Sequence, residues 1–119
     1  MGCGTSDRDQ VRNKIDELAE AAAGRRYGEL CQQVLSPSLA ARFPAAGITC
    51  EQGMRIAFGD VVDPALSIGR ITVHGRTAVV IVLSSARNQT ASLDAIDLVK
   101  TNAGWRVSSL ASSVGAAAG

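Results

Sequence analysis

The chain has 119 residues, the length of one domain. Apolar residues make up 46% and charged residues 19%, so a core can form and compositional disorder is excluded. A net charge of +1 excludes a broad electrostatic footprint for nucleic acid, and no apolar run reaches the roughly 20 residues a membrane-spanning helix needs.

Ser6 caps a first helix expected over Asp7 to Ala23, with Asp7 and Asp9 in its first turn. Val11, Ile15, Leu18, Ala19 and Ala22 recur at helical spacing and form its apolar stripe. Gly24 ends it, and Arg25 and Arg26 suit its negative end. A second helix brings Tyr27, Leu30, Cys31 and Val34 to one face and stops before Pro37, which pushes Ser36 out of helical angles. A short helical turn over Leu39 to Phe43 is expected to break at Pro44. Thr49 and Gln52 then form a capping box for a third helix carrying Met54, Ile56 and Ala57 to about Phe58.

The apolar period changes after a linker over Asp60 to Pro64. Four strands follow at Ala65–His74, Thr77–Ser85, Ala91–Lys100 and Trp105–Leu110, with turns at Gly75-Arg76 and Thr101–Gly104 and a polar loop at Ala86–Thr90. The β-branched run of the second predicts a central strand covered on both faces. Helices followed by an antiparallel meander define the α+β class, with the N-terminal helices packed on the sheet. Residues 1–5 read as a linker or lipid-anchor remnant, 6–111 as the domain and 112–119 as a tail low in complexity.

The three cysteines, Cys3, Cys31 and Cys50, form no CxxC pair, and the single His74 stands near no two of them, so no metal site is expected. They read either as inert thiols or as a lone N-terminal Cys3 with a Cys31–Cys50 bridge; the bridge implies an oxidising compartment. Gly2-Cys3-Gly4 resembles the start of a mature bacterial lipoprotein, in which Cys3 is lipidated. The same residues fit a eukaryotic myristoylation pattern running to Ser6, or a cloning remnant. Lysine occurs only at Lys14 and Lys100 while Ala, Arg and Gly are abundant, a high-GC bacterial bias that favours the lipoprotein.

Three stretches carry a wider resemblance: Gly24-Arg25-Arg26-Tyr27-Gly28-Glu29-Leu30, Val73-His74-Gly75-Arg76-Thr77-Ala78-Val79, and Leu98-Val99-Lys100 through Gly104-Trp105-Arg106-Val107. In this order the chain resembles the nuclear transport factor 2-like superfamily, which includes ketosteroid isomerase-like and polyketide cyclase-like enzymes. The resemblance implies a curved, mostly antiparallel sheet wrapped around the helices, a cystatin-like cone with a central pocket. It also implies that Cys31 and Cys50 pair as in secreted actinobacterial members, many of them lipoproteins, and that two copies pair through the sheet.

Enzymes of that superfamily place an acid, a base or a phenol in the pocket. Here Asp97 and Asp94 stand on opposite faces of the third strand, so one of them faces inward. Tyr27, Asp97 and Trp105 are the expected pocket-lining residues, with Asp97 as base and Tyr27 as hydrogen-bond donor if the protein is an enzyme. His74 at a turn and Arg55 on the third helix read as exposed, and no Ser-His-Asp set or phosphate loop is present. The sequence therefore points to a non-enzymatic extracytoplasmic domain without a cofactor. Its expected partners are a small apolar ligand, a protein or a second copy, with no nucleic acid and with the membrane reached only through the lipid anchor.

Overall fold

A computed structural model describes residues 6–113, with side chains through 110. Residues 1–5 and 114–119, and with them Cys3 and most of the expected tail, lie outside the described residues. Helix α1 spans Asp7–Ala23 and is capped by the Ser6 hydroxyl, which accepts from the Asp9 N–H. Its inner stripe is Val11, Ile15, Leu18, Ala21 and Ala22. Gly24 caps the helix, but Arg25 is the residue that enters the left-handed region, at φ 57°.

Helix α2 (Tyr27–Glu29) runs directly into a π-helical turn over Leu30–Val34, closed by the Leu35 N–H on the Leu30 carbonyl at 2.8 Å. The wider winding keeps Tyr27, Leu30 and Val34 all in the core. Ser36 leaves helical angles at ψ 154°, as its place before Pro37 requires, and caps α3 (Pro37–Ala40) through the Leu39 N–H. Pro44 does not break the chain as expected. It lies within the first turn of α4 (Arg42–Ala45), where its missing N–H leaves no helical bond unmade.

Helix α5 (Cys50–Phe58) has the full capping box. The Gln52 N–H donates to Thr49 at 3.0 Å, and the Thr49 N–H donates to the Gln52 side chain at 2.8 Å. Thr49→Ala is expected to cost about 1 kcal/mol in urea unfolding, since it removes one of the two reciprocal bonds. The buried face of α5 is Gly53 and Met54 rather than Met54 with Ile56, which is 74% exposed. Gly53 is needed because the Phe43 ring lies where a Cβ would stand, at 2.2 Å. A disulfide joins Cys31 on the π turn to Cys50 at the start of α5.

The strands are β1 (Ala65–His74), β2 (Thr77–Ala86), β3 (Gln89–Thr101) and β4 (Gly104–Ser113), an antiparallel sheet in the order β1-β2-β3-β4. Gly75, at φ 60°, makes the tight β1–β2 turn. The expected Ala86–Thr90 loop is a tight turn at Arg87-Asn88, and β4 runs past Leu110 to Ser113. Register shifts at Ile68/Arg70, Asp94/Ile96 and Asp97/Leu98 are bulges that curve the sheet around the helices. Leu35 and Ser36 lock the helical half to this sheet: Leu35 bridges Val107, and the Ser36 N–H donates to the Val107 carbonyl at 2.8 Å.

The helices cover the inner face only. Ala78, Val80 and Val82 of β2 meet Ile96 and Leu98 of β3 in the core. The outward side chains of β2 remain open, with Val79 38% and Leu83 45% exposed, so β2 is central in the sheet but not covered on both faces. Its β-branched run reflects sheet propensity on the open side.

Candidate functional site

The inner face of the sheet is fully covered at the β3–β4 turn end and incompletely covered at the other. There a cavity of about 290 Å³ opens between the sheet, the second half of α1 and the end of α5. Leu18 and Ala22 form its helical wall, Phe58 closes it from α5, and Leu66, Val82 and Ile96 form its sheet wall. This volume lies at the lower end of the range for small-molecule sites, about 300–1,000 Å³.

The sheet side of the lining is also polar toward the β2–β3 turn, where Ser85, Gln89 and Thr90 join a hydrogen-bonded cluster around Asp94. Asp94 on β3 pairs across the sheet with Val82 on β2, so it shares the inner face with Ile96 and Leu98. The Ser84 hydroxyl donates to Asp94 Oδ2 at 2.5 Å, and the Ser92 hydroxyl lies 3.3 and 3.4 Å from the two carboxylate oxygens. The two hydroxyls are 3.1 Å apart. Among the described residues that line the cavity, Asp94 is the one ionisable side chain.

The mouth is bounded by the linker between α5 and β1, which contributes Val61 and Pro64. The β2–β3 turn holds that linker. Asn88 donates to the Asp60 carbonyl at 2.7 Å and accepts from the Val62 N–H at 3.3 Å. The Arg87 N–H donates to the Val62 carbonyl at 2.8 Å, and its guanidinium pairs with Asp63.

The three residues expected in the pocket are elsewhere. Asp97 pairs with Val79 and stands on the outer face, because it alternates with the buried Ile96 and Leu98. Tyr27 is buried in the core near α5; its hydroxyl accepts from Arg25 at 3.4 Å, and the Arg55 guanidinium lies 5.7 Å from its ring centre. The sheet therefore separates Asp97 from Tyr27, and they do not form one site. His74 and Arg55 are exposed.

Trp105 is buried at the opposite end of the sheet, paired with Lys100, while Asp94 lies six residues before Lys100 on β3. At about 3.4 Å per residue that is roughly 20 Å from the cavity cluster. Its ring N–H donates to Asp7 Oδ1 at 3.1 Å, and Lys100 reaches the same oxygen at 2.9 Å. These bonds, Lys100 first and Trp105 second, hold the Asp7 carboxyl below the ordinary aspartate range. A depressed value in the folded state means that the linked stability is complete above the unfolded value and is lost as pH falls through the folded one. Thermal unfolding between about pH 4 and about pH 2 is expected to show a shallower acid loss in Asp7→Asn than in the native protein.

Asp94 was legible as one of two candidates. Its parity with Ile96 and Leu98, the bulkier alternate face, is the signal that places it inward. Ser84 and Ser92 were not singled out, although each shares parity with the inward residues of its own strand.

A curved antiparallel sheet, helices on its concave face and a cavity at the open end define an α+β cone. No protein-family model and no curated protein sequence matches the chain. Among solved structures, a candidate dehydratase of the nuclear transport factor 2-like family from Streptomyces avermitilis superposes at TM-score 0.59 with 16% identity. The match covers 85% of this chain and 90% of that one. A protein from Kribbella flavida superposes at TM-score 0.56, also with 16% identity, covering 93% and 95% of the two chains. The fold is nuclear transport factor 2-like.

Proposed function

We propose that this is a non-enzymatic binding domain that takes a small, mostly apolar molecule into the cavity beneath α1 and α5. The observation that carries the proposal is the lining: apolar on the helix wall and on much of the sheet wall, with the Asp94 carboxylate held by the Ser84 and Ser92 hydroxyls, and Ser85, Gln89 and Thr90 at the β2–β3 end. Such a site gives affinity through apolar burial and orientation through a few polar atoms. Acid–base turnover needs a second group to supply or stabilise the moving charge, and Asp94 stands alone among the ionisable groups of the lining. The enzyme alternative through Asp97 and Tyr27 has no common site.

The protein acts outside the cytoplasm in this proposal, held to a membrane through a lipid on Cys3. The Cys31–Cys50 bridge supports the oxidising compartment. No described helix is long and apolar enough to cross a membrane. The outer face supports pairing of two copies, since Val79, Leu83 and Leu93 are large apolar residues left open there. Sedimentation equilibrium tests the pairing: a dimer that Leu83→Glu converts to a monomer supports it, and a monomer at every concentration overturns it.

An uncharged apolar fluorophore tests the binding. It is expected to bind the native protein with a saturable signal and to bind Ala22→Leu at least roughly tenfold more weakly, as the added side chain fills the space. Equal binding to both proteins, with both folded by circular dichroism, overturns the cavity as the site.

A further inference from the structure

The charge in the cavity has no counterpart among the described residues. Among the described residues the ion pairs are Lys14–Glu17, Arg26–Glu29, Arg87–Asp63 and Lys100–Asp7, and none reaches Asp94. Arg87, the basic residue on the turn at this end, is engaged by Asp63. The groups that serve Asp94 are the hydroxyls of Ser84 and Ser92, which can donate hydrogen bonds but bring no positive charge. A carboxylate offers about four acceptor positions, so the two serines leave capacity for a further donor. Each serine oxygen also has lone pairs that can accept from a ligand.

An unbalanced carboxylate set beside apolar walls discriminates by charge. A ligand ending in a carboxylate places like charges together. A neutral alcohol has one O–H to donate and brings no charge. An ammonium forms a charge-assisted bond to the carboxylate and has further N–H groups for the serine oxygens. We propose that the cavity selects small apolar amines: the hydrocarbon body lies against Leu18, Phe58 and Leu66, and the ammonium is held by Asp94 with Ser84 and Ser92. This deepens the binding function proposed above and rests on it, because it assigns the ligand class to the same cavity.

A matched series tests it: cyclohexylmethylamine, cyclohexylmethanol and cyclohexanecarboxylate, measured by calorimetry or ligand-observed NMR on the native protein. The amine is expected to bind at least roughly tenfold more tightly than the alcohol, and the carboxylate most weakly. In Asp94→Asn the amine is expected to fall to the level of the alcohol, while the alcohol changes by less than about threefold. Asp94→Ser serves the same purpose if the asparagine variant does not fold, and the native ranking is a test without any variant. If the alcohol binds and the amine binds no more tightly, or the amine preference survives the loss of the carboxylate, the amine assignment falls and the binding domain stands. If none of the three binds while the uncharged fluorophore occupies the cavity, the outcome is the same. If the fluorophore fails as well, both fall.

Discussion

Trp105→Ala is expected to lower the unfolding free energy by about 3–5 kcal/mol, the largest effect of any single substitution considered for this protein. Trp105 is 2% exposed and is the second residue of β4, on the inner face, where its indole fills the end of the cone away from the cavity. Truncation to alanine loses the burial of the ring and leaves a void that a β-strand cannot easily close. It also removes a donor from Asp7, so the first turn of α1 loses one of its two ties to the last hairpin. Trp105→Phe separates the two contributions. Most of the packing survives and the N–H is lost, so a cost of about 1 kcal/mol is expected. Since this is the chain's one tryptophan, the measurement is urea unfolding followed by far-ultraviolet circular dichroism rather than fluorescence. Total stability of a domain this size is about 5–15 kcal/mol, so the alanine variant stands near the limit of folding.

Loss of the disulfide is expected to cost about 3 kcal/mol, the chain-entropy value for a loop closed by residues 19 apart in sequence. The effect is not spread evenly. Helix α5 buries Gly53 and Met54 and packs Phe58 partly against the core, and the bond from Cys50 to Cys31 ties down its first turn. Ala57 and Phe58, at the far end of α5, wall the cavity. Reduction is therefore expected to loosen α5 before the sheet and to weaken ligand binding while most of the fold persists. Hydrogen exchange with and without reductant checks this: faster exchange confined to α5 and the following linker is the expected pattern. Free thiols at both positions in protein isolated from its own cell would remove the support for an oxidising compartment.

The helices and strands with local signals were legible from the sequence. Ser6 and Thr49 announce their helices through capping chemistry, and Gly75 announces its turn, so α1, α5 and the β1–β2 hairpin fall at the expected residues. What was not legible depends on distant contacts. Nothing local in Leu30–Val34 distinguishes π from α winding; the choice keeps Tyr27, Leu30 and Val34 in one core with Cys31 in reach of Cys50. The site was half legible for a related reason. Alternation along β3 separates Asp94 from Asp97, but which face is inner depends on where α1 lies. Asp97 alternates with Ala95 and Val99, and Asp94 with Ile96 and Leu98; the helices cover the second face. The covered end of the cone and its open end likewise differ through three-dimensional spacing, so Trp105, expected at the pocket, stands in the core at the other end.

In the function proposed above, the domain meets its ligand in the cavity beneath α1 and α5. The most direct measurement is amide and methyl NMR during titration with cyclohexylmethylamine. Saturable shifts concentrated at Leu18, Leu66, Val82, Asp94 and Ile96 are the predicted result. Shifts concentrated on the outer face at Val79, Leu83 and Leu93, with the cavity residues unmoved, would contradict it.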